Sequence, residues 1–154
     1  MPFEEIVRAL TASIGHPERN VFHNAVAAAA TIDELEAVVR GAIGSSGLME
    51  FIRFDAGEVL RKELGPQGPK ILRLVVGNPM IMKEMAGCVP DAASYAPVTI
   101  LVDERADGVH VSYDSMASFL APYEDPAVLL VAKALDAKIE RLIEAAADGR
   151  AFTA

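Results

Sequence analysis

The sequence predicts an α+β domain: a mostly antiparallel sheet of four to five strands with helices packed on one face. Three observations lead there. Apolar residues recur at helical spacing near both ends of the chain. Two apolar runs flank Asp107-Gly108, a dipeptide suited to a tight hairpin turn. Between these regions, short strand-like runs alternate with segments that carry helix caps. At 154 residues and 52% hydrophobic content, the chain fits one domain with a sizeable core and does not read as disordered.

Taken in order, Phe3, Ile6, Val7, Leu10 and Ile14 fall at helical spacing, so residues 3 to 14 read as an amphipathic helix. Gly15-His16-Pro17 ends it, because proline cannot continue the hydrogen-bond ladder. Residues 1–18 thus form an N-terminal helical extension to a single domain over 19–148. The run NVFHNAVAAA from Asn20 suits either strand or helix, since alanine favours helix by propensity. A strand over 20–28 is the expectation, because Thr31-Ile-Asp-Glu34 then makes a capping box for the next helix. Ile32, Leu35, Val38, Val39, Ala42 and Ile43 line that helix's apolar stripe, and Gly44-Ser-Ser-Gly47 stops it.

Leu48 to Phe54 alternates weakly between glycine and aspartate and reads as a strand. Asp55 caps a helix through Leu64, with Glu58 at the third helical position. Gly65-Pro-Gln-Gly-Pro69 is a loop, Ile71 to Val76 a buried strand, and 79–87 a short helix. Val89 to Pro97 reads as a loop. In the hairpin from Val98 to Tyr113, a two-residue Asp107-Gly108 turn pairs Arg105 with His110, Glu104 with Val111 and Val102 with Tyr113. Val98, Ile100, Val102, Val111 and Tyr113 then share one face. A helical turn over Ser115 to Leu120 follows. Asp125-Pro126 opens a long helix that Gly149 ends, leaving 149–154 as a frayed tail.

Composition excludes several classes of function. A net charge of -8 without a Lys/Arg cluster disfavours nucleic acid. No apolar run approaches the ~20 residues that span a bilayer, so no membrane partner is expected. The opening MPFEEIVRAL is acidic where a secretory leader needs positive charge, and the single cysteine, Cys88, cannot form an internal disulfide. The expected location is cytoplasmic.

Several short motifs carry a family resemblance. They are Phe54-Asp55 at a strand end, Leu74-Val-Val-Gly-Asn-Pro79 with Met82 downstream, Ala96-Pro97 leading into Val98-Thr-Ile-Leu-Val102, and Val111-Ser-Tyr-Asp114. Over roughly residues 20–145 the chain resembles the bacterial and archaeal family known as domain of unknown function 302. It departs from the family pattern at Val76, where an aromatic is usual, at Ala96 in place of leucine, and at Ser115 near a usual proline. Ala56 stands where a histidine often follows the first aspartate. The resemblance implies a compact α+β fold and a homodimer, and it implies no activity.

The candidate site residues sit at strand ends and helix starts. Asp55, Gly77, Asn78 and Tyr113 would bind a small polar ligand if they converge on one sheet edge. In Gly77-Asn78-Pro79 the residue types favour a strand-to-helix joint over an anion cradle: asparagine is a preferred cap and proline a preferred first helical residue, while phosphate-loop glycines are missing. The leading expectation is a noncatalytic homodimeric module that binds a small molecule or a protein. One alternative is a small enzyme using Asp55, Tyr113, His110 or Cys88. Another is a soft-metal or haem carrier built on Met80, Met82 and Met85. No histidine lies at metal-ligand spacing from another, so neither a metal site nor a cofactor is expected. His110 falls on the hairpin's outer face beside Thr99, Leu101 and Ser112, a partly apolar face that asks for a cover.

Overall fold

Four strands, β1 (Met49–Asp55), β2 (Ile71–Gly77), β3 (Val98–Arg105) and β4 (Gly108–Tyr113), pair in chain order, each antiparallel to the next. Around them, among the described residues, run seven α-helices: α1 (Phe3–Thr11), α2 (Arg19–Ala28), α3 (Ile32–Ala42), α4 (Ala56–Leu64), α5 (Pro79–Ala86), α6 (Met116–Leu120) and α7 (Pro126–Ala147). This computed structural model describes residues 1–153. The architecture is the α+β one that the sequence predicts.

Register explains the core. Leu72 pairs with Val102, Leu74 with Ile100 and Val76 with Val98, while Val111 and Tyr113 pair with Val102 and Ile100. Their side chains therefore share one face. Phe3, Ile6, Val7 and Leu10 of α1 pack on it, as do Val128, Leu135, Ile139 and Leu142 of α7. Each such side chain contributes about 1.5–3 kcal/mol by leaving water. Phe152 also packs against this core, while Ala154, the end of the expected frayed tail, lies outside the described residues.

Two expectations need correction. Residues 20–28 are helical, not a strand. Glu18 caps α2 by accepting hydrogen bonds from the N–H groups of Asn20 and Val21. Its half-buried side chains, Phe22, Ala25 and Val26 with Ala29 beyond, recur at helical spacing. The hairpin pairing is also displaced by two residues. Arg105 pairs with Gly108, Asp103 with His110 and Val102 with Val111. Ala106-Asp107 forms the loop, and Gly108 closes it at φ 136°, a conformation that glycine tolerates. A shift of two preserves the strand period, so the expected set of core-facing residues survives.

α2 lies apart from the main helical layer, over one end of the opposite sheet face. There Phe22 meets Phe51 edge to face, ring centres 6.4 Å apart. Phe51 is free to turn this way because β1 bulges between Glu50 and Ile52. The rest of that face is open: Ile52 and Phe54 are 48% and 50% exposed. None of the helices among the described residues is long and apolar enough to cross a membrane.

Candidate functional site

The antiparallel register decides which candidate residues can meet. Asp55 pairs with Leu72 and Met49 with Gly77, so Asp55 and Gly77-Asn78 stand at opposite ends of the sheet. Asp55 caps α4, accepting from the N–H of Glu58 at 2.8 Å and from Arg61 Nη2 at 2.8 Å. Burial pushes its carboxyl up, but the bonds from Arg61 and Glu58 outweigh it and hold it below the usual range. The groove beside it, about 760 Å³, is walled by charges that largely pair with one another, Lys70 with Glu4 and Arg61 with Asp55.

Tyr113 points into the helical layer. Its hydroxyl donates to Asp136 Oδ1 at 2.5 Å, and the N–H groups of Met116 and Ala117 donate to the same carboxylate at 2.7 and 2.9 Å. Asp136, 6% exposed on α7, thereby caps α6 from across the core. Burial, then the adjoining carboxylate, pushes the Tyr113 phenol far above its ordinary range. His110 contacts Asp107 at 2.9 Å on the hairpin. Cys88 is a free, exposed thiol just beyond α5. Asp55, Tyr113, His110 and Cys88 thus occupy four separate surroundings. Among the described residues, no three His, Cys, Asp or Glu side chains cluster as metal ligands. Met85 is fully buried in the core, while Met80 and Met82 are half-buried.

Gly77 and Asn78 do share a site. Asn78 has the extended backbone that a residue before proline prefers, φ -144° and ψ 121°. Its Oδ1 accepts from the Met80 N–H at 2.8 Å, capping α5, and its Nδ2 donates to the Gly47 carbonyl at 2.9 Å. Gly77 is bare because a Cβ there would sit 3.0 Å from Pro97 Cβ and 3.2 Å from Pro97 Cα. Around this joint lies a small slot of about 80 Å³, walled by Phe51, Ile81, Met82, Pro97 and Leu135. None of its lining residues carries an ionisable group.

Two larger hollows adjoin the slot. A cleft of about 770 Å³ between α2 and the sheet shares Phe51 and Pro97 with it. A trench of about 280 Å³ between α5 and α7 shares Ile81 and Leu135, and Lys138 stands on its wall. Sequence reasoning missed Phe51, Pro97, Leu135 and Lys138 as site residues. Phe51 left a signal, since the weak alternation of residues 48–54 is what a bulged strand produces. Asp136 left another: it is a lone carboxylate within the apolar stripe of α7.

Comparison with known proteins supports the same architecture. The family model described as "Domain of unknown function DUF302" matches residues 22–146. The crystal structure of an uncharacterized conserved protein DUF302 from Bacillus stearothermophilus superposes with a TM-score of 0.64 at 11% identity. That match covers 94% of this chain and 90% of the other, and it is a likeness of fold. No curated protein matches the chain. With the family model spanning most of the residues, and with the meander and Gly-Asn-Pro joint in place, the chain belongs to the DUF302 family.

Proposed function

We propose that this chain is a noncatalytic, homodimeric binding module that takes a small apolar molecule at the Gly77–Asn78 slot. The observation that carries the reading is the chemistry of the slot wall: apolar side chains throughout, with the amide of Asn78 already engaged on both sides. Small-molecule sites favour such concave apolar surfaces with few polar groups. The four candidate catalytic groups each face a different partner or solvent, which supports binding over chemistry. The exposed thiol of Cys88 suits a reducing, cytoplasmic setting.

The homodimer reading rests on the open half of the outer sheet face, where apolar β1 side chains lie in solvent. The slot is tested with 1-octanol, a neutral apolar probe, followed by NMR chemical shifts. Saturable shifts at Gly77, Met82 and Leu135 are expected, and Met82→Trp, which fills the slot, abolishes them while the fold is retained. Shifts that do not saturate, or that survive Met82→Trp unchanged, overturn the reading.

A further inference from the structure

We propose that the ligand of this slot is a small amphipathic carboxylic acid, its tail in the slot and adjoining trench and its carboxylate on Lys138. The inference rests on the slot being the binding site and adds the chemical class it takes. Lys138 projects from α7 so that its Nζ lies 2.9 Å from where a Cβ on Gly47 would stand. Gly47 is the residue whose carbonyl Asn78 holds. The amine is therefore placed beside the polar end of the slot as well as on the trench wall.

The amine is half-buried, and among the described residues no carboxylate lies within 4.0 Å of it. Glu84 lies along the same trench, but it is exposed and is not bonded to the amine. Arg141, one turn along α7, likewise has no carboxylate within 4.0 Å among the described residues and spends its Nε on the Ala137 carbonyl. Burial, then the Arg141 charge, pushes the Lys138 ammonium down. An unpaired, partly desolvated cation gains from an incoming anion, because charge-assisted hydrogen bonds strengthen away from water.

Two unmatched cations side by side in a chain of net charge -8 complement an acid specifically. The surroundings supply the tail's site: Leu130, 71% exposed, Val131, Ala134 and Leu135 line the trench, with Met82 in the slot beyond. Both spaces fall below the ~300 Å³ at which drug-sized pockets begin, so the acid is small.

The test compares octanoate with 1-octanol on the full chain by calorimetry at neutral pH and low salt. Octanoate is expected to bind about tenfold more tightly, a difference of ~1.4 kcal/mol. Lys138→Met and Lys138→Gln should each reduce that preference to within about twofold, as expected when one charge-assisted bond is lost. Lys133→Met, which removes a charge from an exposed position on the same helix, should keep it. Equal binding of the two probes by the native chain overturns the acid inference and leaves the apolar slot standing. A preference that persists in both Lys138 variants overturns the role of that residue. Failure of both probes to bind overturns the slot reading and this inference together.

Discussion

At Asp136 one carboxylate serves three donors: Tyr113 Oη and the N–H groups of Met116 and Ala117. Hydrogen bonds to a charged group contribute more than neutral ones, and removing the acceptor leaves buried donors unmet. Asp136→Ala should therefore lower stability by about 2–4 kcal/mol in urea titration, chiefly through the orphaned helix start. Tyr113→Phe removes one donor and leaves the cap, so a smaller loss of about 1–2 kcal/mol is expected. The phenol also sets a pH dependence. Its folded pKa is raised by burial first and by Asp136 second, so the folded state retains a proton that the unfolded chain loses near pH 10. Stability contributed by this group is present below that pH and declines as pH rises above it. Urea midpoints measured between pH 8 and 11 should fall more steeply for the native chain than for Tyr113→Phe. Parallel curves would show that the phenol does not retain its proton on folding.

Elements were legible in proportion to how local their signals are. Asn78 and Pro79 announce the start of α5, and the structure adds that Asn78 also ties α5 to the loop at Gly47. Asn78→Ala should cost about 1–2 kcal/mol, since it removes both cap and tether, whereas Asn78→Asp keeps the cap acceptor and should cost less. Equal urea midpoints for the two variants would place the whole effect in the tether. The caps at Thr31, Asp55 and Asp125 are equally readable, each side chain accepting from an N–H three residues on, whereas Ser115, expected as the first residue of its helical turn, is the cap of α6. α2 is not readable in this way, because NVFHNAVAA has β-branched and aromatic residues in an alanine-rich run and its apolar stripe is short. The cap that settles it, Glu18, is not among the residue types favoured at that position. The hairpin shows a different limit. Asp107-Gly108 marks a turn but does not say which residues are its centre, and glycine is used one position later than expected. Non-local pairing was least legible: nothing in the chain around Asp55 reveals that β1 runs away from Gly77. The slot depends on that pairing, and on a bulge that turns Phe51 toward Phe22 and the slot, so of its wall the sequence marks only Gly77 and Asn78 as ligand-binding residues, with Met82 marked for the metal alternative instead.

For the molecule as a whole, the two sheet faces are unequal. One is buried under α1, α5, α6 and α7; the other, among the described residues, is covered where α2 crosses it and open at Ile52 and Phe54. α2 itself has no buried residue, and Val21 and Ile32 at the start of α3 are 66% and 47% exposed. Ile52 and Phe54 add two large apolar side chains on the neighbouring strand. An antiparallel sheet can leave one face in water when that face is polar. Here the exposed positions mix Arg73 and Thr99, bonded to each other at 3.3 Å, with isoleucine and phenylalanine, so the open face is the natural seat of the proposed second copy. Charge opposes that pairing, because two chains of -8 repel each other. Screening shortens such repulsion to about 8 Å at physiological salt while leaving apolar burial intact. Sedimentation equilibrium should therefore give the mass of two chains, with the dimer tightening as salt rises from low to physiological strength. Phe54→Asp, at an exposed position far from the slot, should shift the population to monomer by placing a carboxylate in the seam, and its thermal midpoint at high dilution should match that of the native chain. A native chain that sediments as a monomer at every salt and concentration would leave the outer face without a partner of its own kind.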